Sequence, residues 1–483
     1  MKVLEKMKKL ANRQHKYEWI AFSVSLVVAA MIVASTPTQA DTEPSSNPTR
    51  TKQKTLRLPE TETAFGFVMI NKLSAGNSTG NIFISPLSLH SCLQMAYDGA
   101  AGTTSTQMAK VLGLSGLSVH ESNKEYKALL KTVADPPVWL TQAIEKKNKE
   151  DVDYSRNLKE AQANHLAPPA PRMLQDVIRI DPPLQVEVAN SIWANNDTNF
   201  APQYVADCKE YFRAQVRSLN FADRKSVITI NDWVSKHTNG KIENAINQLK
   251  PRDLAILVNV AYFKARWSEQ FDPEETKPAI FHTANGDKKV SMMHQGLGAD
   301  YLENAEFQAV RLQYRSEDDD NGASMYIFLP RKRNGLAELL PKLTAGNWKR
   351  WREQFGIDWP GQLSMPRFEV SYEAQCSKVL ASLGMPHAFS SNKADFSKMV
   401  VSSPKLFLSE VYHKTFVKVD EEGTEAAAYT VGPMGGGSEG ETREPFKMVI
   451  DHPFFFAIIN NKTGAPLFMG TMSDPTLTEA ASR

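Results

Sequence analysis

A chain of 483 residues with 42% hydrophobic and 23% charged side chains has the make-up of a folded globular protein, which excludes a disordered or fibrous one. Its net charge of +2 sets up no field strong enough to gather nucleic acid or an acidic surface, so neither is expected as a partner. Length alone leaves open whether there is one large core or several small ones.

The first element is a targeting segment. Lysines 2, 6, 8, 9 and 16 precede an apolar run from Trp19 to Ala34, and Thr38 and Ala40 are small enough for cleavage before Asp41. This predicts a signal peptide over 1–40, a secreted protein and no membrane attachment after cleavage. An uncleaved anchor is the alternative, since the run approaches the ~17 residues that span a bilayer. Sequons at Asn77, Asn196 and Asn461 agree with export as glycosylation sites. Cys92, Cys208 and Cys376 are too few and too scattered for a disulfide framework and read as buried small hydrophobes.

A polar leader covers 41–60. From Thr61 a helix is predicted, with Phe65, Val68, Met69 and Leu73 on one face. Ser85-Pro opens a second helix carrying Leu89, Cys92, Leu93 and Ala96, and a third lies between Ser122 and Thr132. Residues 135–183, with three Pro-Pro pairs and charges that balance between Thr141 and His165, read as a solvated insertion. Strands follow. Leu184–Val188 alternates at period two and Ser191–Ala194 closes it, while Ala255–Phe263 is apolar enough to be buried on both faces. Met325–Leu329 is another short strand, and Met448–Met472 reads as two strands around a turn at 460–464. Helices first and a large sheet later make the chain α+β.

Several stretches resemble the serpin family, in family order from about Thr61 to Pro475. They are Asn81-Ile-Phe-Ile-Ser-Pro-Leu-Ser with Gly99-Ala-Ala-Gly-Thr-Thr, and Ile230-Asn-Asp-Trp-Val with Thr238-Asn-Gly-Lys-Ile. Leu257–Trp267, Leu383–Phe389, Asp451–Ile458 and Pro466–Gly470 complete the set. The resemblance is to the inhibitory, extracellular type, insect-like in its insertion and long loop. It implies one serpin domain over 61–475, with about eight to nine helices around three sheets, and a short tail at 476–483. It further implies a monomer that uses no cofactor or metal, is not an enzyme, and has a serine protease of trypsin, chymotrypsin or elastase type as its partner. In that family's mechanism the protease cleaves an exposed loop, here within 421–452, and the severed arm enters the central sheet as an extra strand.

The stretch Glu421-Glu422-Gly423-Thr424-Glu425-Ala426-Ala427-Ala428-Tyr429-Thr430 resembles the hinge of that loop. At period two Thr424, Ala426, Ala428 and Thr430 would face the core and all are small, while Glu425, Ala427 and Tyr429 would face outward. Gly423 supplies a pivot. By the same resemblance Ser85, Ser88, Asn259 and His413 form a polar cluster beneath the sheet. Trp267 stands at the top of the opening, with Glu421 and Arg367 as an ion pair there. Counting from Gly423 puts the scissile bond at Gly437–Ser438, while counting back from Pro453 puts it near Thr442 and Arg443, where Arg443–Glu444 would suit a trypsin-like pocket. Met434–Gly435 is a third candidate, suited to an apolar pocket. Pro433 would forfeit a ladder hydrogen bond late in insertion. Gly436-Gly-Ser-Glu-Gly440 fits a nucleophile pattern but lacks the flanking strand and helix that pattern needs. A non-inhibitory carrier or chaperone of the same family is the stronger rival.

Overall fold

The computed structural model describes residues 58–135 and 184–483, apart from 77–78, 197, 317–321, 403–405, 425–443, 478 and 482–483, together with isolated positions between 149 and 160. The expected signal peptide, the leader up to residue 57, Asn77 and most of the insertion lie outside the described residues. Among the described residues nine α-helices accompany sheets of nine, seven and two strands, the α+β arrangement read from the sequence.

Helix α1 (Leu58–Gly76) buries Phe65, Met69 and Leu73, but Val68, expected on the same stripe, is 45% exposed. The reason is a close approach. A Cβ at Gly66 would lie 2.7 Å from Pro86 Cγ, so the glycine lets α1 touch the next helix and turns the core-facing stripe toward Gly66 and Ile70. That next helix, α2 (Pro86–Asp98), starts where Ser85 accepts a hydrogen bond from the Ser88 amide. It is buried from Pro86 to Met95 and beyond, on all sides rather than on one face, so its polar residues need internal partners. Helix α3 (Val119–Ala134) begins with a capping box between Ser118 and Glu121.

Those internal partners include an acid. Glu62 of α1 is fully buried and receives a 2.8 Å hydrogen bond from the Tyr126 hydroxyl of α3. Burial pushes its carboxyl up to about 8, against a weaker downward pull from Tyr126. Unfolded, the same group ionises near ~4.3. The folded state therefore holds a proton that the unfolded state has lost, and the resulting stability drains away as pH rises from about 4 toward 8. Glu62→Gln keeps the shape without the titration. Its melting temperature is expected to fall less than that of the parent between pH 6 and 9; parallel curves would contradict this.

The seven-stranded sheet dominates the site. Its strands are β1 (Leu184–Asn195), β2 (Gln215–Leu219), β3 (Ala255–Arg266), β4 (Phe368–Gln375), β5 (Leu408–Val419), β6 (Gly423–Thr424) and β7 (Glu479–Ala481), in the spatial order β7-β4-β5-β6-β3-β1-β2. Strand β1 runs unbroken from Leu184 through the expected closing stretch to Asn195. The alternation of β3 shows how the sheet is packed. Ile256, Val258, Val260 and Tyr262 meet helix α4 (Arg224–His237) on one face. Ala255, Leu257, Ala261, Phe263 and Ala265 join the main core on the other. The three cysteines are free and buried, and burial pushes their thiols up and keeps them protonated.

Candidate functional site

Strands β3 and β5 are parallel neighbours from Ala255↔Leu408 to Tyr262↔Phe416. Above that point they part around β6. Thr424 pairs with Ala265 of β3 and with Val419 of β5, antiparallel to both, and Gly423 pairs with Arg266. The start of the hinge is therefore already a strand of the sheet, lying in a cleft whose lower end is closed. Residues 425–430 lie outside the described residues.

Gly423 does more here than pivot. Its φ is +153°, and a Cβ would meet the Ala265 carbonyl oxygen at 2.2 Å, so the backbone of β3 leaves no room for a side chain. Thr424 is fully buried with its hydroxyl 2.9 Å from the Tyr314 hydroxyl. Tyr314 in turn stacks on Trp267, with ring centroids 4.5 Å apart and planes 9° from parallel. The Trp267 indole donates to the Asp420 carbonyl at 3.0 Å, and its amide donates to the Glu422 carbonyl at 3.0 Å. The Phe271 amide donates a hydrogen bond to the Glu421 carbonyl at 3.0 Å.

Arg367 donates to the Glu421 carboxylate at 2.6 Å, and the Thr276 hydroxyl donates to the same oxygen. Glu421 is 6% exposed and Arg367 44%, so this pair is half-buried. Breaking it would leave a buried carboxylate with one fewer partner.

Lower in the cleft, three strands contribute one polar residue each. Asn259 on β3 is in register with His413 on β5 and with Asn190 on β1. The Asn259 amide donates to the Ser88 carbonyl at 3.0 Å, the Ser88 hydroxyl at 2.6 Å and the Asn190 side chain at 2.5 Å. Its oxygen lies 2.5 Å from His413 Nδ1, while Nε2 accepts from the Ser85 amide at 3.0 Å. These partners fix a neutral imidazole with its proton on Nδ1, and burial pushes His413 down to about 3. The cluster ties both sides of the closed cleft to the N-terminus of α2 without a charge.

Tyr314, Thr276 and Asn190 were not singled out from the sequence. Asn190 alone carried a signal, as a polar residue interrupting an otherwise buried strand. The far end of the loop is held at Glu444, which is exposed and whose carbonyl accepts from the Trp359 indole at 2.9 Å. Met434, Gly435, Gly437, Ser438 and Arg443 lie outside the described residues. Asn196 is on an exposed turn, whereas the Asn461 side-chain oxygen accepts from the Ser324 hydroxyl at 2.8 Å. No cluster able to hold a metal ion occurs among the described residues.

The contact between Tyr314 and Thr424 invites a mild test. Tyr314→Phe keeps the stack on Trp267 but removes a hydrogen bond worth about 1 kcal/mol net, a factor of roughly five in the docking equilibrium. A glutamate-specific endoprotease is expected to cut at Glu422 and Glu425 about fivefold faster in the variant. An unchanged rate would mean that this bond does not hold the hinge.

A two-residue strand of the chain itself, Gly423–Thr424, thus lies between two central strands of the sheet that pair with each other below it. The chain belongs to the serpin family: the family model described as "Serpin (serine protease inhibitor)" matches residues 60–475. Serpins as a family inhibit proteases and are not themselves catalysts. Among curated relatives, Serpin B10 of Otolemur garnettii and Serpin B10 of Homo sapiens are each 32% identical over 422 residues, covering 85% of this chain and 98% of the relative. Among solved structures the thermophilic serpin tengpin, in its native state, matches at a TM-score of 0.70 and 26% identity over 89% of this chain and 97% of its own. Human thyroxine-binding globulin complexed with its ligand matches at 0.70 and 23% identity, over 87% of this chain and 99% of its own.

Proposed function

We propose that this chain is a secreted, monomeric inhibitor that traps serine proteases covalently. The protease's serine attacks the scissile carbonyl, an ester forms to the loop arm, and the amine of the next residue leaves. The arm then continues the strand that Gly423 and Thr424 begin. The observation that carries this reading is the position of β6, antiparallel to two strands that are otherwise each other's neighbours.

The register also says what insertion must displace. Continued past Thr424, it brings Ala426 and Ala428 to the core-facing side and Thr430 opposite both Asn259 and His413. A hydroxyl would arrive where two polar side chains lose each other, so the buried groups exchange partners rather than go without. Gly437–Ser438 remains the first candidate for the bond on arm length and Arg443–Glu444 the second on chemistry. Secretion rests on the pattern of residues 1–40.

A carrier role is the second reading. It draws on a cavity of about 660 Å3 beside α1, lined by Tyr326, Trp348 and Arg352, and on the likeness to thyroxine-binding globulin. One experiment separates the two. Protein collected from culture medium is mixed with trypsin-, chymotrypsin- and elastase-like proteases and run on a denaturing gel. A covalent band of summed mass is expected, and mass spectrometry of the released C-terminal peptide identifies the bond. Nicking with no such band would favour the carrier.

A further inference from the structure

Beside Trp267 lies a cleft of about 290 Å3. Part of its lining is apolar: Trp267, Phe271, Ala299 and Leu312 are buried and Leu297 is half-buried. The volume is close to the ~300 Å3 at which small-molecule sites begin, so the cleft admits one ring with a short chain. Glu269, Asp300 and Asp358 bring three carboxylates to the lining, against the single cation of Arg311. That guanidinium donates to Asp300 at 2.8 Å and to the Ser324 hydroxyl at 3.1 Å, so it offsets one acid only. Glu269 and Asp358 are exposed and pair with no cation among the described residues. Asp358 has a left-handed backbone, with φ at +49°, and Gly298 lacks the side chain that would collide with its carboxylate. Ile357, 82% exposed, gives the rim an apolar lip.

A second observation is independent of charge. Gln295 also lines the cleft, and its Nε2 donates to the Gln270 carbonyl at 3.3 Å, which fixes the end that carries the oxygen. That oxygen, Oε1, is buried and has no hydrogen-bond partner among the described residues. A buried acceptor left unpaired is costly, and a donor brought into the cleft would satisfy it. The unpaired acceptor, the two free carboxylates and the aromatic surface together select an ammonium group on an apolar body. The same segment serves the hinge. Trp267 and Phe271 hold the carbonyls of Asp420, Glu421 and Glu422, and Gln270 Nε2 donates to the Glu422 carbonyl at 3.4 Å. A docked hinge therefore fixes residues that line the cleft, and by linkage whatever binds the cleft favours the docked hinge.

We propose that this cleft is a binding site for a small organic cation, an ammonium group carried on an aromatic or short aliphatic body, and that the bound cation steadies the hinge. Asp358 and Glu269 supply the charge complement, and Trp267 and Phe271 the apolar surface. This goes beyond protease trapping and does not require it.

Titration calorimetry on the intact protein tests it, with 2-phenylethylammonium as the probe and uncharged 2-phenylethanol as its control. So small a ligand is expected to bind with a dissociation constant of about 1 mM. The alcohol is expected to bind at least about fivefold more weakly, because it forgoes attraction to two carboxylates. Asp358→Asn combined with Glu269→Gln, both at exposed positions, is expected to remove that preference. At saturating ammonium a glutamate-specific endoprotease is expected to cut at Glu422 about fivefold more slowly, while its cutting of a free peptide is unchanged. The proposal is overturned if the ammonium does not bind, if the alcohol binds equally well, or if the double variant keeps the preference. It is equally overturned if bound ammonium leaves the rate at Glu422 as it was.

Discussion

Replacing Thr424 by arginine is expected to turn the protein from an inhibitor into a substrate, with covalent complex cut by more than about tenfold. Thr424 is fully enclosed between Ala265 and Val419, with its hydroxyl on Tyr314. A guanidinium in that position is a buried charge without a designed partner, at a cost of several kcal/mol. Each ~1.4 kcal/mol slows the step it burdens about tenfold. Insertion competes with completion of hydrolysis, so slowing it lets the ester be hydrolysed and frees the protease. Thr424→Ser, which keeps the hydroxyl, is the control and is expected to inhibit like the parent. The moles of protein consumed per mole of protease blocked give the measurement. An arginine variant with the parent's stoichiometry would show that burial of residue 424 between Ala265 and Val419 is not needed for the trap.

Much of this arrangement is legible in the sequence, because insertion constrains one strand at period two. The proline-punctuated start of α2 and the apolar run of β3 are local patterns, and each falls in the element it implies, as do Gly423 and Thr424 at the start of the hinge. What is not legible comes from parts of the chain that meet only after folding. Tyr314 and Thr276 are unremarkable where they stand, and their roles depend on a hinge more than a hundred residues away. The need for glycine at 423 arises from the backbone of Ala265, not from the neighbours of Gly423. Val68 fits the periodic pattern of α1, but the pattern cannot tell that Gly66 will turn the helix toward Pro86. The tail forms β7 through backbone pairing, which any short stretch of small residues permits, so composition gave no warning of it.

The second large effect follows from the sheet itself. In the uncut protein β3 and β5 share one parallel ladder below Thr424. Insertion replaces that ladder with two antiparallel ones, each at least as strong per residue. Every added ladder bond contributes about 1 kcal/mol net, so the run from Glu425 to Thr430 alone adds several kcal/mol. For a large domain this is a rise in melting temperature on the order of 10 °C. On the trapping mechanism proposed above, the gain is withheld until the loop is cut, because its far end is tied at Glu444 and in the strand that follows, Phe446–Val449. The most direct measurement is therefore thermal unfolding before and after a single loop cleavage, with the two fragments still associated. A melting temperature higher by about 10 °C or more in the cut form is the expected result. An equal or lower one would mean that the severed arm stays outside the sheet and that no strain is stored in the intact fold.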